Sequence, residues 1–401
     1  MSDAVDRSSS QRKGKDSPMH ITGVGAVTGY GWGTKHVWDG FLLGESAVKL
    51  TTGLDGYVDG GFAYVSLIAD EGDRRDGPSR FMQALRFAAR EAITDAYERG
   101  WEPGRTVGVV HSLVLGDVDM WSDFYRSGES RVRAKRWVNM MPSTVISMMM
   151  KENDFHGPAM SVSAMCASGN AGMITAKSWL DAGVATDVIL LATDLSGHPQ
   201  NLRAFADVGV AVLDTPPFDA CRPFQEGSRG FVGGEAAVAM VLSNRPQGAQ
   251  ATVLGGAMTM DAFNTVAIAP DLTELRRSYR DALDAAGIEP SEVAYVNAHG
   301  TGTAQCDAAE ARILDEMFPG AHGIFSVKPL IGHCQAAASA IETLATVYAF
   351  QSGFVPSPRK VAHGHPRVLD GLTPRMPGAM LKASIGMGGF NTVVVIGEPQ
   401  T

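Results

Sequence analysis

The chain has 401 residues, of which 45% are hydrophobic and 19% are charged, and this composition supports a large globular body with an extensive core. Its formal net charge of −9 argues against a general nucleic-acid binder, because phosphate neutralisation needs a basic surface. The four cysteines are too few and too scattered for a disulfide scaffold and include no Cys-x-x-Cys pair, so a reducing cytoplasm and no metal are expected.

The first part of the chain alternates strand patterns with amphipathic helix patterns. Residues 1–17 are polar and lack periodicity, so we expect a disordered leader outside the fold. The predicted strands cover residues 20–26, 106–111, 159–164 and 186–192. The predicted helices cover residues 35–43, 79–98 and 166–182.

The second part repeats this alternation. The predicted helices cover residues 272–286, 308–318 and 333–350, and the predicted strands cover residues 292–298, 380–384 and 392–397. Both parts are therefore expected to form layered α/β units, and no linker is long enough to separate independent domains. No apolar run approaches the roughly 20 residues that a membrane-spanning helix requires.

Cys166 lies in the segment SVSAMCASGN, residues 161–170, where a predicted strand gives way to small residues and a helix. A thiol on the first turn of a helix feels the positive end of the helix dipole, which lowers its pKa and favours a thiolate nucleophile. A buried structural cysteine is the alternative, and it is the more common reading of an isolated cysteine. Cys166 therefore indicates a nucleophile only if other reactive groups lie close to it.

His299 lies in the segment NAHGTGT, residues 297–303, where it projects from a strand end into a loop of glycine and threonine. Strand ends in α/β proteins open onto ligand crevices. In such a crevice His299 is able to donate a hydrogen bond to a carbonyl, and Thr301 and Thr303 offer hydroxyls to a polar cofactor arm. A loop histidine without a role is equally compatible with this pattern.

His333 ends the segment SVKPLIGH and leads into an alanine-rich helix pattern that contains Glu342. Lys328 precedes the histidine in the same segment. These three ionisable groups lie where burial normally excludes charge, and such groups are costly unless they are paired. The segment therefore predicts a buried polar network.

A glycine-rich segment, GMGGFN at residues 386–391, separates the last two predicted strands. Such a loop lets a backbone amide approach a reacting atom, as an oxyanion hole requires. A simple hairpin turn explains the same pattern almost as well.

In combination, these segments resemble those of an elongating β-ketoacyl-acyl carrier protein synthase, or ketosynthase, of fatty acid or polyketide assembly. The resemblance covers residues 19–398 and includes ITGVGAVTGYG, MPSTVISMM, CASG, RPFQEGSRGFVGGE, VNAHGTGTAQCDAAE, SVKPLIGH and GMGGFN in order. It implies the thiolase fold, in which two similar halves form a layered α-β-α-β-α sandwich. Residues 18–250 would form the half with the nucleophile, and residues 251–401 the half with both histidines.

The resemblance implies a decarboxylative Claisen condensation at Cys166. This residue would hold the growing acyl chain as a thioester, and the backbone amides of Cys166 and Met387 would form the oxyanion hole. His299 and His333 would donate to the carbonyl of a malonyl thioester, so that loss of CO₂ leaves a stabilised enolate. Two neutral imidazoles suit this step, because it needs donors rather than proton abstraction from carbon.

The resemblance also implies supporting and substrate-binding roles. Lys328 would support the histidines electrostatically, and Glu342 would anchor the network from its helix. The residues expected to contact the substrate are Thr301, Thr303, Phe205, Met387 and Phe390. Met387 stands where a gating phenylalanine is common in the family, and Phe390 where a threonine is usual. Methionine is more flexible than phenylalanine, so the sequence does not determine how tightly this residue gates the pocket. It does not determine the length of the acyl chain either.

The implied partner is an acyl carrier protein that delivers its phosphopantetheine arm, with no resident cofactor. The strongest local basic run spans residues 131–136, and carrier docking is expected at Arg133, Lys135 and Arg136. A solvated loop is an equally good reading of this run. The family usually dimerises, and both a homodimer and a heterodimer with a second ketosynthase-like chain stay open.

Two other functions stay open beside the elongating synthase. The first is a non-catalytic subunit that sets chain length in a heterodimer, although such partners usually lack the cysteine that Cys166 supplies. The second is a thiolase-fold acyltransferase that does not decarboxylate malonyl units. Initiating relatives have asparagine where His333 stands, and thiolases use a second cysteine near the C-terminus. The combination of Cys166, His299 and His333 favours the elongating enzyme.

Overall fold

A computed structural model describes residues 18–128 and 133–400, and the predicted leader at residues 1–17 lies outside the described residues. Strands and helices alternate along the chain, as the periodicity predicts. The strands are β1 (Met19–Thr28), β2 (Gly31–Trp32), β3 (Lys49–Thr52), β4 (Phe62–Ser66), β5 (Val107–Ser112), β6 (Ala159–Val162), β7 (Asp187–Asp194), β8 (Gly233–Gly234), β9 (Ala236–Ser243), β10 (Ala251–Met260), β11 (Val293–Asn297), β12 (Gly323–Phe325), β13 (Phe354–Val355), β14 (Thr373–Pro374), β15 (Ala379–Gly386) and β16 (Phe390–Gly397).

The helices belong to the connections between these strands. They are α1 (Thr34–Leu43), α2 (Arg80–Glu98), α3 (Val118–Ser127), α4 (Ala134–Asn139), α5 (Pro142–Glu152), α6 (Ser168–Asp181), α7 (Pro199–Asp207), α8 (Pro217–Ala220), α9 (Thr273–Ala286), α10 (Ala304–Met317), α11 (Lys328–Ile331) and α12 (Ala338–Ser352). Across the two described ranges, none of these helices is both long and apolar enough to cross a bilayer.

Ten strands form two groups with the same topology. The first group has the order β6-β5-β7-β9-β1, and the second has the order β12-β11-β15-β16-β10. In each group the first three strands are parallel, and the fourth, β9 or β16, is antiparallel to both of its neighbours. This repetition confirms the expected fold of two similar halves, whereas the boundary proposed between residues 250 and 251 stays a prediction.

The two groups join where β1 pairs with β10 through three residue pairs. The helices α6 and α12 contact each other and lie between the groups, where they share one core with both. The outer face of the first group is covered by α2 and α5, and that of the second by α9 and α10. The molecule is therefore the expected α-β-α-β-α sandwich.

The alternation of side chains along each strand explains how one sheet layer serves two cores. On β7, Val188 and Leu190 face the central helices, whereas Ile189 and Leu191 face the outer helices. Every residue of β7 is buried. A strand buried on both faces reads as a continuous apolar run, which is why the sequence pattern identified it.

Two of the predicted helices begin two or more residues later than expected. The helix predicted from residue 166 begins at Ser168, because Cys166 belongs to the turn after Met165 and Ala167 is the N-cap, with φ −88° and ψ 0°. The helix predicted from residue 333 begins at Ala338, after a 3₁₀ turn at Gln335–Ala337. Both catalytic candidates therefore lie in turns that precede helices, rather than on the helices themselves.

Candidate active site

Cys166 lies in a tight turn between β6 and α6. The hydroxyl of Ser168 accepts a hydrogen bond from the backbone amide of Ala164 at 2.9 Å and donates to the backbone oxygen of Met165 at 2.6 Å. From β15, the hydroxyl of Ser384 donates to the backbone oxygen of Cys166 at 2.9 Å. These bonds fix the turn from both halves of the molecule and hold a buried thiol at a defined place.

The structure brings Cys166, His299 and His333 together. One nitrogen of each histidine and the sulfur of Cys166 all lie within 4.8 Å of one another. The two imidazole rings are 5.6 Å apart and inclined at 79°. His299 lies two residues after the end of β11, and His333 lies two residues after the short helix α11, so both donors come from the second half and face the nucleophile of the first.

A cavity opens on these three groups. Its other lining residues are Val210, Phe231, Val266, Ile268, Thr301, Thr303, Gln305, Cys306, Gln335, Ile385, Gly386 and Met387. The hydroxyls of Thr301 and Thr303 lie 2.9 Å apart on its wall. Three of the five residues expected to contact the substrate, Thr301, Thr303 and Met387, therefore line the cavity.

Phe205 and Phe390 are not among the described residues that line this cavity, and their expected substrate contact stays a prediction. The ring of Phe205 packs edge-on behind Phe231 at 5.8 Å, and Phe231 itself forms the wall and contacts the ring of His333 at 4.8 Å. The ring of Phe390 packs against the small residues of the nucleophile turn, which are Ala164, Ala167 and Ala171. Both phenylalanines therefore support the site from behind.

The turn between β15 and β16 approaches the nucleophile closely. The backbone amide of Met387 faces the sulfur of Cys166 closely enough to lower the pKa of its thiol. A Cβ atom on Gly386 would lie 2.6 Å from the backbone oxygen of Ala164, a contact that real Cβ atoms do not make. Glycine at this position therefore permits the approach that directs the Met387 amide at the reacting atom, as an oxyanion hole requires.

Burial raises the pKa of the Cys166 thiol to about 12. The charge of Lys328 and the Met387 amide lower this pKa but do not offset the burial, and the charge of Asp194 raises it further. The expectation that a helix start lowers this pKa is therefore corrected, since α6 begins only at Ser168 and the sulfur is enclosed. The resting nucleophile is a neutral thiol, and its proton must leave during the attack.

Both histidines are neutral, as expected. Burial lowers the pKa of His299 and of His333 well below the usual value, and the charge of Lys328 lowers both further. A neutral imidazole carries one N–H donor and one acceptor nitrogen. The pair is therefore able to donate to a carbonyl oxygen, and the ring of His333 is able to accept the proton that Cys166 releases.

Lys328, Glu342 and Lys382 form a buried charged cluster behind His299. One carboxylate oxygen of Glu342 binds the ammonium of Lys328, and the other lies 2.7 Å from the ammonium of Lys382. Burial lowers the pKa of Lys328, but Glu342 outweighs this effect and leaves that pKa above the usual value. The cluster contains two lysines and one carboxylate. The sequence predicts Lys328 and Glu342 as members of a buried polar network, but it does not predict Lys382.

Three residues of the site were missed by the sequence analysis. Lys382 lies on β15, and a lysine inside a strand otherwise predicted to be buried was the available signal. Gln335 lines the cavity, and its side-chain oxygen lies 3.6 Å from the sulfur of Cys166. Glu310 accepts hydrogen bonds from the backbone amides of His299 and Gly300 at 2.7 and 2.9 Å. It lies in an ordinary amphipathic helix pattern, so nothing in the sequence indicated this role.

The residues predicted to dock a carrier protein lie apart from the catalytic groups. Arg133 and Lys135 are exposed at the start of α4, and Arg136 is half-buried. None of the three lines the cavity. Arg131, which opens the same basic run, lies outside the described residues, and docking at this surface stays a prediction.

Comparisons with known proteins give the family. The family models "Beta-ketoacyl synthase, N-terminal domain" and "Beta-ketoacyl synthase, C-terminal domain" match residues 71–247 and 250–361. Nodulation protein E of Rhizobium meliloti (strain 1021) is 30% identical over 94% of this chain and 98% of its own length. The chloroplastic 3-oxoacyl-[acyl-carrier-protein] synthase I of Hordeum vulgare is 28% identical over 94% of this chain and 88% of its own length.

Solved structures agree with this assignment at the level of the fold. A type II polyketide synthase acyl-carrier protein in complex with its ketosynthase, AntDE:AntF, matches with a TM-score of 0.82 at 22% identity. The match covers 96% of this chain and 100% of the solved one. The chain thus belongs to the β-ketoacyl synthase family and is a condensing acyltransferase.

Proposed function

We propose that Cys166 holds an acyl chain and that the chain catalyses its decarboxylative condensation with malonyl-acyl carrier protein, elongating a fatty acyl or polyketide chain. The convergence of Cys166, His299 and His333 within 4.8 Å at one cavity carries this proposal. A nucleophile for acyl transfer and two neutral donors for decarboxylation meet there, and none of the described residues that line the cavity is an acid, a lysine or an arginine.

The first step loads the acyl chain. The sulfur of Cys166 attacks the thioester carbonyl of the acyl carrier, while its proton passes to a neighbouring neutral imidazole. The backbone amides of Cys166 and Met387 stabilise the tetrahedral oxyanion. When this intermediate collapses, the carbon-sulfur bond to the carrier breaks, and the carrier thiolate takes the proton from the imidazolium.

The second step forms the carbon-carbon bond. His299 and His333 donate hydrogen bonds to the thioester oxygen of the malonyl unit, and the breaking carbon-carbon bond releases CO₂ and leaves its electron pair in an enolate. The enolate carbon attacks the acyl carbonyl on Cys166. Collapse of the resulting oxyanion expels the thiolate of Cys166, which regains a proton from solvent and restores the resting enzyme.

The cavity suits a phosphopantetheine arm that a carrier protein delivers, with no resident cofactor. Thr301 and Thr303 supply hydroxyls on the wall, and the apolar residues Val266 and Ile268 supply contact for the methylene stem. The solved AntDE:AntF complex, in which a carrier protein is bound to its ketosynthase, supports this partner. A homodimer and a heterodimer with a second ketosynthase-like chain both suit this role.

We also propose that the enzyme works in the cytoplasm. All four cysteines, Cys166, Cys221, Cys306 and Cys334, are free thiols, and free thiols persist in a reducing compartment. Localisation of a fluorescent fusion, together with the thiol state of purified protein, tests this point.

Mass spectrometry of Cys166 after incubation with a series of acyl carrier thioesters tests the function. The wild type is expected to gain an acyl mass on Cys166 and then to release CO₂ and form ketoacyl carrier on addition of malonyl carrier. Cys166→Ala is the control and gains no mass. A non-catalytic partner subunit would show no acylation, and a non-decarboxylating acyltransferase would show acylation without CO₂ release.

A further inference from the structure

Lys382 is fully buried on β15, two residues before the serine that holds the nucleophile turn. Its ammonium donates to the backbone oxygens of Asn297, Ala298 and Ala383 at 3.2, 3.1 and 2.6 Å. The first two of these oxygens belong to Asn297, the last residue of β11, and to Ala298, which immediately precedes His299. The lysine therefore fastens β15 to the strand end that carries a catalytic candidate.

The same ammonium also determines the charge of the site. Glu342 divides its two oxygens between Lys328 and Lys382, so one negative charge is shared by two positive ones. With both lysines protonated, the cluster carries one net positive charge. Without Lys382, the pair of Lys328 and Glu342 would be neutral, and its field at the neighbouring imidazoles and thiol would largely cancel.

We infer that Lys382 is a positioning residue whose charge, shared through Glu342, makes the field of Lys328 available to the enolate and to the departing thiolate of Cys166. This inference rests on the proposed function, because decarboxylation and thiolate expulsion are the steps that develop negative charge. Lys382 does not line the cavity and touches no reacting atom. It acts through the carboxylate of Glu342 and through the strand end that carries His299.

The groups that face Lys382 define a pH window for this charge. Glu342 faces it from α12, Lys328 from α11 and Glu310 from α10. The pKa of Lys382 is lowered to about 8, mainly by burial and also by the charge of Lys328. Glu342 offsets part of this lowering. A lysine with a lowered pKa is charged below that value and neutral above it, so the extra charge is present at pH 7 and lost above about pH 8.

The test compares two neutral variants across pH. Lys382→Met removes the charge and the hydrogen bonds, whereas Lys382→Gln removes the charge and keeps donors for the backbone oxygens. The rate of CO₂ release from malonyl carrier at saturation is measured between pH 7 and 9.5. The wild type is expected to lose rate as pH rises past 8, and both variants are expected to be roughly tenfold slower at pH 7 and to lack this pH-dependent loss.

Lys177→Met is the matched control. Lys177 is a buried lysine on α6 that pairs with Asp181 at 2.7 Å, away from the cluster, so its loss is expected to leave the pH dependence of the wild type unchanged. Thermal unfolding of every variant separates lost folding from lost charge. If Lys382→Gln keeps both the rate at pH 7 and the loss above pH 8, the charge of Lys382 has no role and the inference is overturned. If the wild type releases no CO₂ at all, the proposed function fails instead.

Discussion

The ammonium of Lys328 lies 3.4 Å from Nδ1 of His299 and also donates to the backbone oxygen of the same residue. An ammonium has no acceptor, so Nδ1 must offer it a lone pair and Nε2 must carry the ring proton. Lys328 therefore selects the tautomer in which His299 enters the reaction as a donor. The substrate does not need to select this tautomer itself.

Replacement of Lys328 by methionine is expected to lower the rate of malonyl decarboxylation about a hundredfold, because His299 then populates both tautomers and the buried charge is lost. The KM for malonyl carrier is expected to change less, since Lys328 touches no substrate. Steady-state kinetics of CO₂ release measures both quantities. A variant with an unchanged kcat and a raised KM would contradict the tautomer role.

The alkylation of Cys166 by iodoacetamide is expected to rise with pH through pH 10 without a plateau. The reason is that burial raises the pKa of this thiol to about 12, and only the thiolate reacts. An unperturbed thiol, with a pKa of about 8.5, would reach its plateau near pH 10. Mass spectrometry of the alkylated peptide against pH measures the rate, and Cys166→Ala provides the background. A plateau below pH 9 would show a resting thiolate.

Replacement of Gly386 by alanine is expected to destabilise the fold by about 1–3 kcal/mol, the usual cost of an overpacked site, and to lower turnover at least tenfold. The added Cβ would meet the backbone oxygen of Ala164 at 2.6 Å and push the Met387 amide away from the sulfur. Chemical denaturation and turnover measure the two effects. Gly320→Ala is the matched control, since an added Cβ there meets nothing within 4 Å. Equal stability and equal turnover in the two variants would show that the close approach of Gly386 to Ala164 has no role.

Reversal of charge at Arg133 and Lys135, both to glutamate, is expected to raise the KM for carrier-bound substrate about tenfold and to leave a small thioester analogue unaffected. The two side chains are exposed, so the fold is expected to persist. Arg105→Glu, at another exposed site, is the control. Equal losses on the carrier and on the small analogue would show that these residues do not dock a carrier.

The catalytic residues were predictable where a short segment carries both the reactive side chain and its surroundings. His299 and its loop, and Lys328 with His333, lie within such segments, and the structure brings them to Cys166. The repeated strand order was harder to predict, because the two halves share a topology but no visible sequence repeat. Seven of the ten strands in these groups were nevertheless predicted from an apolar run or from alternation, whereas β9, β10 and β12 were not.

The features that the sequence did not predict share a physical cause, because each depends on residues that are distant along the chain. The pKa of Cys166 is set by enclosure between two halves, and no local pattern reports that enclosure. Lys382 owes its role to Glu342, which lies on another element. Phe231 forms the cavity wall with Phe205 packed edge-on behind it, and this order depends on the packing of two separate segments. Local sequence cannot rank such neighbours.

The duplicated strand order divides the chemistry between two structural units. The first unit supplies the sulfur that carries the acyl chain, and the second supplies His299, His333 and the charged cluster of Lys328, Glu342 and Lys382. Because of this division, the reaction is sensitive to displacement at the contact between α6 and α12. A shift of about one ångström there would separate the nucleophile from its donors.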